Sequence, residues 1–189
     1  PNHGCLFSVN VPICQAPVRS QEDFPPASMS LQGVGVLCID NEHAILSGME
    51  KLLSAWQCHV FTASNAQQAR EIYTQHEDEI DILLVDFQLT GHQDKNEQFS
   101  PKVLTNKKHQ SPYLSDHING IELIEQLRTM SHYSLPAILI TATTDNNLME
   151  LAKQAEIGYL RKIIKPIALR SLMSSLLSKE LEKNYSNKV

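Results

Sequence analysis

The chain has 189 residues, of which 42% are hydrophobic, and a formal net charge of −5 at pH 7 with histidine neutral. That is enough apolar material for one good core and too little chain for two large domains. A negative balance disfavours general nucleic-acid binding, which requires a basic surface, and no apolar run approaches the ~18 residues of a membrane helix. The four cysteines, Cys5, Cys14, Cys38 and Cys58, show no C-x-x-C spacing. Cys38 and Cys58 sit in apolar strand-like runs and are expected to be reduced thiols of a cytoplasmic protein. The chain starts at Pro1 without a signal-peptide pattern, so it is expected to be a piece of something longer.

In chain order, residues 17–33 are rich in Pro, Ser and Gln and read as a linker. A buried strand is predicted over 35–39, then a helix over 41–56 with Ile45, Met49, Leu52 and Leu53 on one stripe. A strand over 59–62 leads to a helix capped by Asn65 and running to about Gln75, with Ala66, Ala69, Ile72 and Tyr73 at helical spacing. A strand over 82–86 follows, then a helix over 120–130 carrying Ile121, Leu123, Ile124 and Leu127. The pattern closes with a strand over 137–141, a weaker helix over 146–155, a strand ending at Arg161, and a helix from about Ile167 into Leu181. Strands alternating with helices demand right-handed crossovers, hence an α/β fold with a doubly wound five-stranded parallel sheet and helices on both faces. Residues 90–118 break the alternation, because such a connection normally takes ~2 to 6 residues. They read as a polar surface insertion.

Three apolar runs end at one chemically useful residue each: 36–39 at Asp40, 82–85 at Asp86 and 137–140 at Thr141. The run 157–161 ends likewise at Lys162. In a parallel sheet every strand's carboxyl end lies on the same edge, so two carboxylates, a hydroxyl and an ammonium converge there. Each alone has a duller explanation. An Asp at a strand end usually caps or turns, Thr is an ordinary strand residue, a single Lys is solvated, and Tyr159 alone is a core aromatic. Their conjunction in this order suits phosphate and metal chemistry.

The order of elements and the residues ending them resemble the receiver domain of two-component signalling, over roughly residues 34–181. Val36-Leu37-Cys38-Ile39-Asp40-Asn41-Glu42 resembles its first strand and acidic cluster, and Leu83-Leu84-Val85-Asp86 the strand that ends in the phospho-acceptor. Ile140-Thr141-Ala142 resembles the strand with the switch hydroxyl, and Gly158-Tyr159-Leu160-Arg161-Lys162 the strand with the switch aromatic and the required Lys. The phrasing is most similar to receivers at the carboxyl end of hybrid sensor histidine kinases. Residues 1–16 resemble the last strand of a histidine-kinase ATP-binding domain, followed by the 17–33 linker and a receiver over 34–183 with its insertion at 90–118.

The resemblance implies a flavodoxin-like sheet of order 2-1-3-4-5 and a phosphorelay function. Asp86 would take a phosphoryl group from the histidine of a kinase phospho-acceptor helix or a phosphotransfer domain. Lys162 and Thr141 would contact the phosphoryl oxygens, and Tyr159 would follow Thr141 in switching. Magnesium or manganese would be held by Asp40, Asn41, Asp86 and the Gln88 backbone carbonyl, with Glu42 as an additional candidate. It further implies a cytoplasmic domain, a parent protein that the inner membrane can anchor, and no nucleic-acid or membrane partner for this piece; the oligomeric state stays open.

Two positions depart from the family pattern. Asn41 stands where the family usually has a second Asp, which removes one charge from the metal site. Ile163 follows Lys162 where the family usually has Pro, and a Lys-Pro pair comes later at Lys165-Pro166. The catalytic role is nonetheless assigned to Lys162 by its distance from Gly158-Tyr159. These departures keep open an alternative, a degenerate receiver that docks proteins without phosphorylation. A flavin site is disfavoured, since Asp40-Asn41-Glu42 would repel a phosphate there. None of the eight histidines sits in a helix of the phospho-acceptor kind, and His92, His109 and His117 lack zinc-ligand spacing.

Overall fold

The structure is a computed structural model that describes residues 8, 30–89, 118–143 and 145–186. The expectations for residues 1–16, for most of the linker and for 90–117 lie outside the described residues. The elements are β1 (Gly35–Ile39), α1 (His43–Ala55), β2 (His59–Ala63), α2 (Ala66–His76), a 3-10 turn (Glu77–Glu79) and β3 (Ile82–Asp86). They continue with α3 (Gly120–Met130), β4 (Ala137–Thr141), α4 (Asn146–Gln154), β5 (Gly158–Arg161) and α5 (Pro166–Ser186). All strand pairs are parallel, in the order β2-β1-β3-β4-β5. This is the doubly wound, flavodoxin-like arrangement expected.

Each strand's two faces go to different helices, because side chains alternate along a strand. Leu37, Ile39, Leu83, Val85, Ala137 and Leu139 pack with α2, α3 and α4. Val36, Cys38, Ile82, Leu84, Ile138 and Ile140 pack with α1 and α5. Both faces of the three central strands are therefore buried, which is why their sequences are continuous apolar runs rather than alternating ones.

The boundaries differ from expectation at a few points, each with a local cause. Helix α1 starts at His43 rather than 41, because the Asp40 carboxylate accepts the Glu42 amide at 2.9 Å and holds 40–42 in a turn. Its buried stripe is Leu46, Met49 and Leu53, while Ile45 and Leu52 are only partly buried. Helix α5 opens at Pro166, whose missing N–H costs nothing at a first helical position. Leu31 belongs to the core although it falls in the stretch read as linker. It is 1% exposed, and its carbonyl accepts the Val34 amide and the Cys58 thiol. Ile118, assigned to the insertion, is likewise buried against the α2–α4 face.

The start of β1 depends on a missing side chain. A Cβ at Gly35 would overlap the Glu79 carbonyl, where the chain turns from the 3-10 segment into β3. The Asp81 carboxylate accepts the Gly35 amide at 2.7 Å and pins that approach. Gly35→Ala is expected to lower Tm by roughly 2 to 12 °C, the range for about 1 to 3 kcal/mol of overpacking in a domain of this size. Calorimetric unfolding checks it, and an unchanged Tm would refute the close-approach account.

Candidate functional site

The site grows from strand parity. Asp40 continues the alternation of Val36 and Cys38, Asp86 that of Ile82 and Leu84, and Lys162 that of Leu160, so all three lie on the α1/α5 side of the carboxyl edge. The ladder carries on past the strands to hold them there. The Asp40 amide donates to the Ala63 carbonyl at 3.2 Å, the Phe87 amide to Ile140 at 2.9 Å and the Lys162 amide to Thr141 at 2.8 Å.

These three side chains meet. The Lys162 ammonium donates to Asp40 Oδ2 at 2.9 Å and lies 3.1 Å from Asp86 Oδ1. Asp40 and Asp86 are buried, at 5% and 6% exposure. Burial pushes the Asp86 carboxyl above the ordinary carboxylate range; the Lys162 charge pulls it down, the Asp40 charge pushes it up, and it stays raised. Burial works against the Lys162 ammonium too, but the Asp40 hydrogen bond and the Asp86 charge outweigh that and hold its proton above the usual lysine range. Lys165 does not take this place. Its side chain is exposed, and its carbonyl accepts the Ala168 and Leu169 amides at the entry to α5. The Lys162–Ile163 peptide bond, left open by the sequence, is cis.

Thr141 and Tyr159 have the opposite parity and form a second, uncharged group on the α2–α4 side. The Thr141 hydroxyl, 1% exposed as part of its residue, accepts the Thr143 amide at 3.1 Å. The Tyr159 hydroxyl donates to the Thr143 carbonyl at 3.1 Å. Thr143 thus joins the two expected switch residues through its backbone, a role that the run Thr141-Ala142-Thr143 does not advertise.

Two carboxylates against one ammonium leave the triad with a net single negative charge when both are ionised, and it is burial that keeps the Asp86 carboxyl raised. A small, hard divalent cation with oxygen ligands fits this donor set. Asn41 is partly buried beside it and adds no charge, and Gln88 is exposed. Glu42 is exposed and meets Asp40 through its backbone amide, not its carboxylate. Among the described residues no three His, Cys, Asp or Glu side chains cluster as a metal site.

A third neighbour was not singled out from sequence. Helix α3 begins beside Asp86: the Gly120 amide donates to Phe87, and a Cβ on Gly120 would overlap the Asp86 carbonyl. Asn119 caps that helix with a full capping box closed by Glu122. The Asn-x-x-Glu spacing at 119–122 is the signal that would have located it.

No protein-family profile matches the chain. It is 24% identical over 157 residues to the two-component response regulator ARR10 of Arabidopsis thaliana, which covers 82% of this chain but 23% of that protein. The chain thus spans about a quarter of the relative's length. Among solved structures, a response regulator receiver domain from Clostridium thermocellum superposes with a TM-score of 0.56 at 21% identity, covering 78% of this chain and 98% of that one. A chain of the CheX–CheY–BeF3–Mg complex from Borrelia burgdorferi gives 0.55 at 15% identity, covering 75% of this chain and 87% of that one. The fold is that of receiver domains.

The burial of Asp86 has a consequence for stability. Because folding raises the Asp86 carboxyl, the native state holds that proton more tightly than the unfolded chain, so this residue's contribution falls as pH rises from the ordinary carboxylate value through the raised one. In EDTA, Asp86→Asn is expected to raise Tm at neutral pH, each kcal/mol gained being worth about 2 to 4 °C. The gain should shrink on acidification through that window. Lys162→Met, which strips two buried carboxylates of their counter-charge, should lower Tm most at neutral pH. A Tm difference for Asp86→Asn that is negative, or flat with pH, would show that burial does not control this carboxyl.

Proposed function

We propose that the chain is a phospho-accepting receiver of a two-component phosphorelay, taking a phosphoryl group from a phosphohistidine onto Asp86 and relaying it or switching a partner. The observation that supports this most is the convergence of Asp86, Asp40 and Lys162 on one point of the carboxyl edge. No single motif carries that much weight. The receiver fold of the structural neighbours supports it as well.

Asp86 would act as the nucleophile. One carboxylate oxygen attacks phosphorus in line, the P–O bond forms as the P–N bond breaks, and the electron pair leaves on the imidazole nitrogen. Asp40 and Asp86, with Asn41 and the Gln88 backbone carbonyl as neutral donors, would hold magnesium or manganese. When bound, that ion supplies the positive charge that lets an anionic acceptor meet an anionic phosphoryl group. Lys162, already between the carboxylates, would turn to a phosphoryl oxygen. The product carries about −1.5 to −2 charges at its phosphoryl group. Thr141 would donate its hydroxyl hydrogen to another of those oxygens, and the Thr143 backbone would pass the displacement to Tyr159.

On the same reading, residues 1–16 end a histidine-kinase ATP-binding domain, 17–33 link it to the receiver over 34–183, and the parent is a hybrid sensor kinase working at the cytoplasmic side. The donor would be its own phospho-acceptor helix or a separate phosphotransfer domain. Among the described residues no helix is long and apolar enough to cross a membrane.

Intact mass after incubation with magnesium and acetyl phosphate is expected to show one added phosphoryl group, and none on Asp86→Asn. Lys162→Ala should lose most of the labelling and Lys165→Ala little. Equal labelling of wild type and Asp86→Asn would remove Asp86 from the role, and no labelling at all would favour a phosphorylation-independent docking module.

Metal binding offers a separate check. Asn41→Asp is expected to tighten magnesium binding severalfold in calorimetry, because a carboxylate replaces a neutral amide beside a site short of ligand charge. Unchanged or weaker binding would mean that the position at 41 does not face the ion.

A further inference from the structure

A cavity of about 640 Å³ opens at the amino edge of the sheet, the end away from Asp86. Its walls come from the segment before β4, the start of β5, the later turns of α4 and the far half of α5. Four cations line it, Arg128, Lys153, Lys179 and Lys183, against two carboxylates, Glu156 and Glu180. That surplus of positive charge stands in a chain of net charge −5. Cations in the last turn of a helix are ordinary, because they offset its dipole, and Arg128 and Lys153 hold such places. Lys179 does not, since it lies inside α5.

Two of the cations are already committed. Arg128 donates to the carbonyls of Leu135, Ala155 and Glu156 at 3.0, 2.7 and 3.2 Å, and the Lys183 ammonium lies 3.1 Å from Glu180 and 3.9 Å from Glu156. Lys153 and Lys179 are exposed and carry no ion pair among the described residues. Two tyrosines line the same cavity, and each is fixed by its hydroxyl: Tyr133 donates to the Glu77 carbonyl and Tyr159 to the Thr143 carbonyl. What they leave for an occupant is ring surface beside cations. Inorganic phosphate would answer the charge and leave the apolar walls in water, whereas the volume lies within the about 300 to 1,000 Å³ usual for sites of organic ligands. A planar ring that stacks on aromatic side chains, joined to a phosphate that pairs with lysines, answers both.

We infer that this cavity binds a nucleotide, with its ring against Tyr133 and Tyr159 and its phosphate at Lys153 and Lys179, and that occupation holds Tyr159 in its bond to Thr143. The second half rests on the phospho-acceptor reading above, in which Tyr159 follows Thr141 when Asp86 is phosphorylated. The nucleotide then disfavours the phosphorylated form from the opposite end of the sheet, and the phosphorylated form holds the nucleotide less tightly.

Equilibrium dialysis of the unphosphorylated chain with radiolabelled AMP and GMP tests the site. Binding of at least one is expected below about 1 mM, roughly tenfold weaker in Lys153→Gln and in Lys179→Gln, and unchanged in Lys51→Gln at an exposed position of α1. Neither the parent nucleoside nor ribose 5-phosphate should compete for it, since each offers one half of the ligand. The coupling is read from intact mass after incubation with magnesium and acetyl phosphate. A saturating nucleotide should lower the phosphorylated fraction of the wild type severalfold. Tyr159→Phe, which keeps the ring and loses the hydroxyl, should bind the nucleotide and lose that effect. No binding of either nucleotide at that concentration, or equal binding by the wild type and both lysine variants, would overturn the site. Binding with an unchanged phosphorylated fraction, or a full effect in Tyr159→Phe, would overturn the restraint of Tyr159. If acetyl phosphate labels nothing even without nucleotide, the acceptor role falls and the restraint with it, while dialysis still decides the site.

Discussion

Two carboxylates taken out of water at one sheet edge stay close only because Lys162 places its ammonium between them, 2.9 Å from Asp40 and 3.1 Å from Asp86. Breaking such a pair by removing one partner is far costlier than never having built it, because the remaining charge is left without water or counter-ion. The three residues come from β1, β3 and β5, so the charge balance is met only when the sheet closes in its native order. It is incomplete even then. One ammonium for two carboxylates leaves a net negative charge, and burial by itself holds the Asp86 carboxyl above its ordinary range. A site left short of positive charge is less stable than it could be, and is thereby prepared to receive a cation.

Strand alternation then separates two kinds of chemistry. The charged triad shares the parity of the α1/α5 face, and the neutral pair Thr141 and Tyr159 that of the α2–α4 face. What joins the halves at the edge is backbone. The Thr141 carbonyl holds the Lys162 amide, and the Thr143 peptide holds the Thr141 and Tyr159 hydroxyls. A change of charge at Asp86 therefore has a short path of hydrogen bonds toward the other helical layer, made of groups that exchange partners by rotating a hydroxyl or shifting one loop peptide.

The fold was legible because every central strand is buried on both faces and so appears as an unbroken apolar run, such as Ile82 to Val85, closed by a polar residue. Convergence of Asp40, Asp86 and Lys162 on one edge followed from parallel pairing alone. What the sequence concealed were features set by three-dimensional approach. Leu31 sits in a polar, proline-containing stretch, yet it closes the bottom of the α1/α5 core. Leu46 is buried with Met49 and Leu53 while Ile45 and Leu52 only border the same core, a distinction within one helical face that residue spacing does not resolve. Thr143 works through backbone atoms that any residue possesses, so its side chain leaves no mark in the sequence. Gly35 and Gly120 are selected by carbonyls distant in sequence, Glu79 and Asp86, which periodicity does not see.

Lys162 has two tasks on the proposed reading, and they compete. As counter-ion it holds Asp40 and Asp86 together; as phosphoryl ligand it must release at least one of them. The release costs little once a divalent ion neutralises the carboxylates, and it costs much without one, since both stay buried. On that reading a metal requirement would follow from where the lysine sits, apart from any charge that the ion would lend to the transfer itself. Asn41 bears on the same balance. With an amide in place of a further carboxylate, the edge attracts the ion less, and Lys162 holds its bridge more readily against it. On the proposed reading, Asn41 would therefore tilt the site toward its lysine-bridged form, in which Asp86 is paired and least available as a nucleophile.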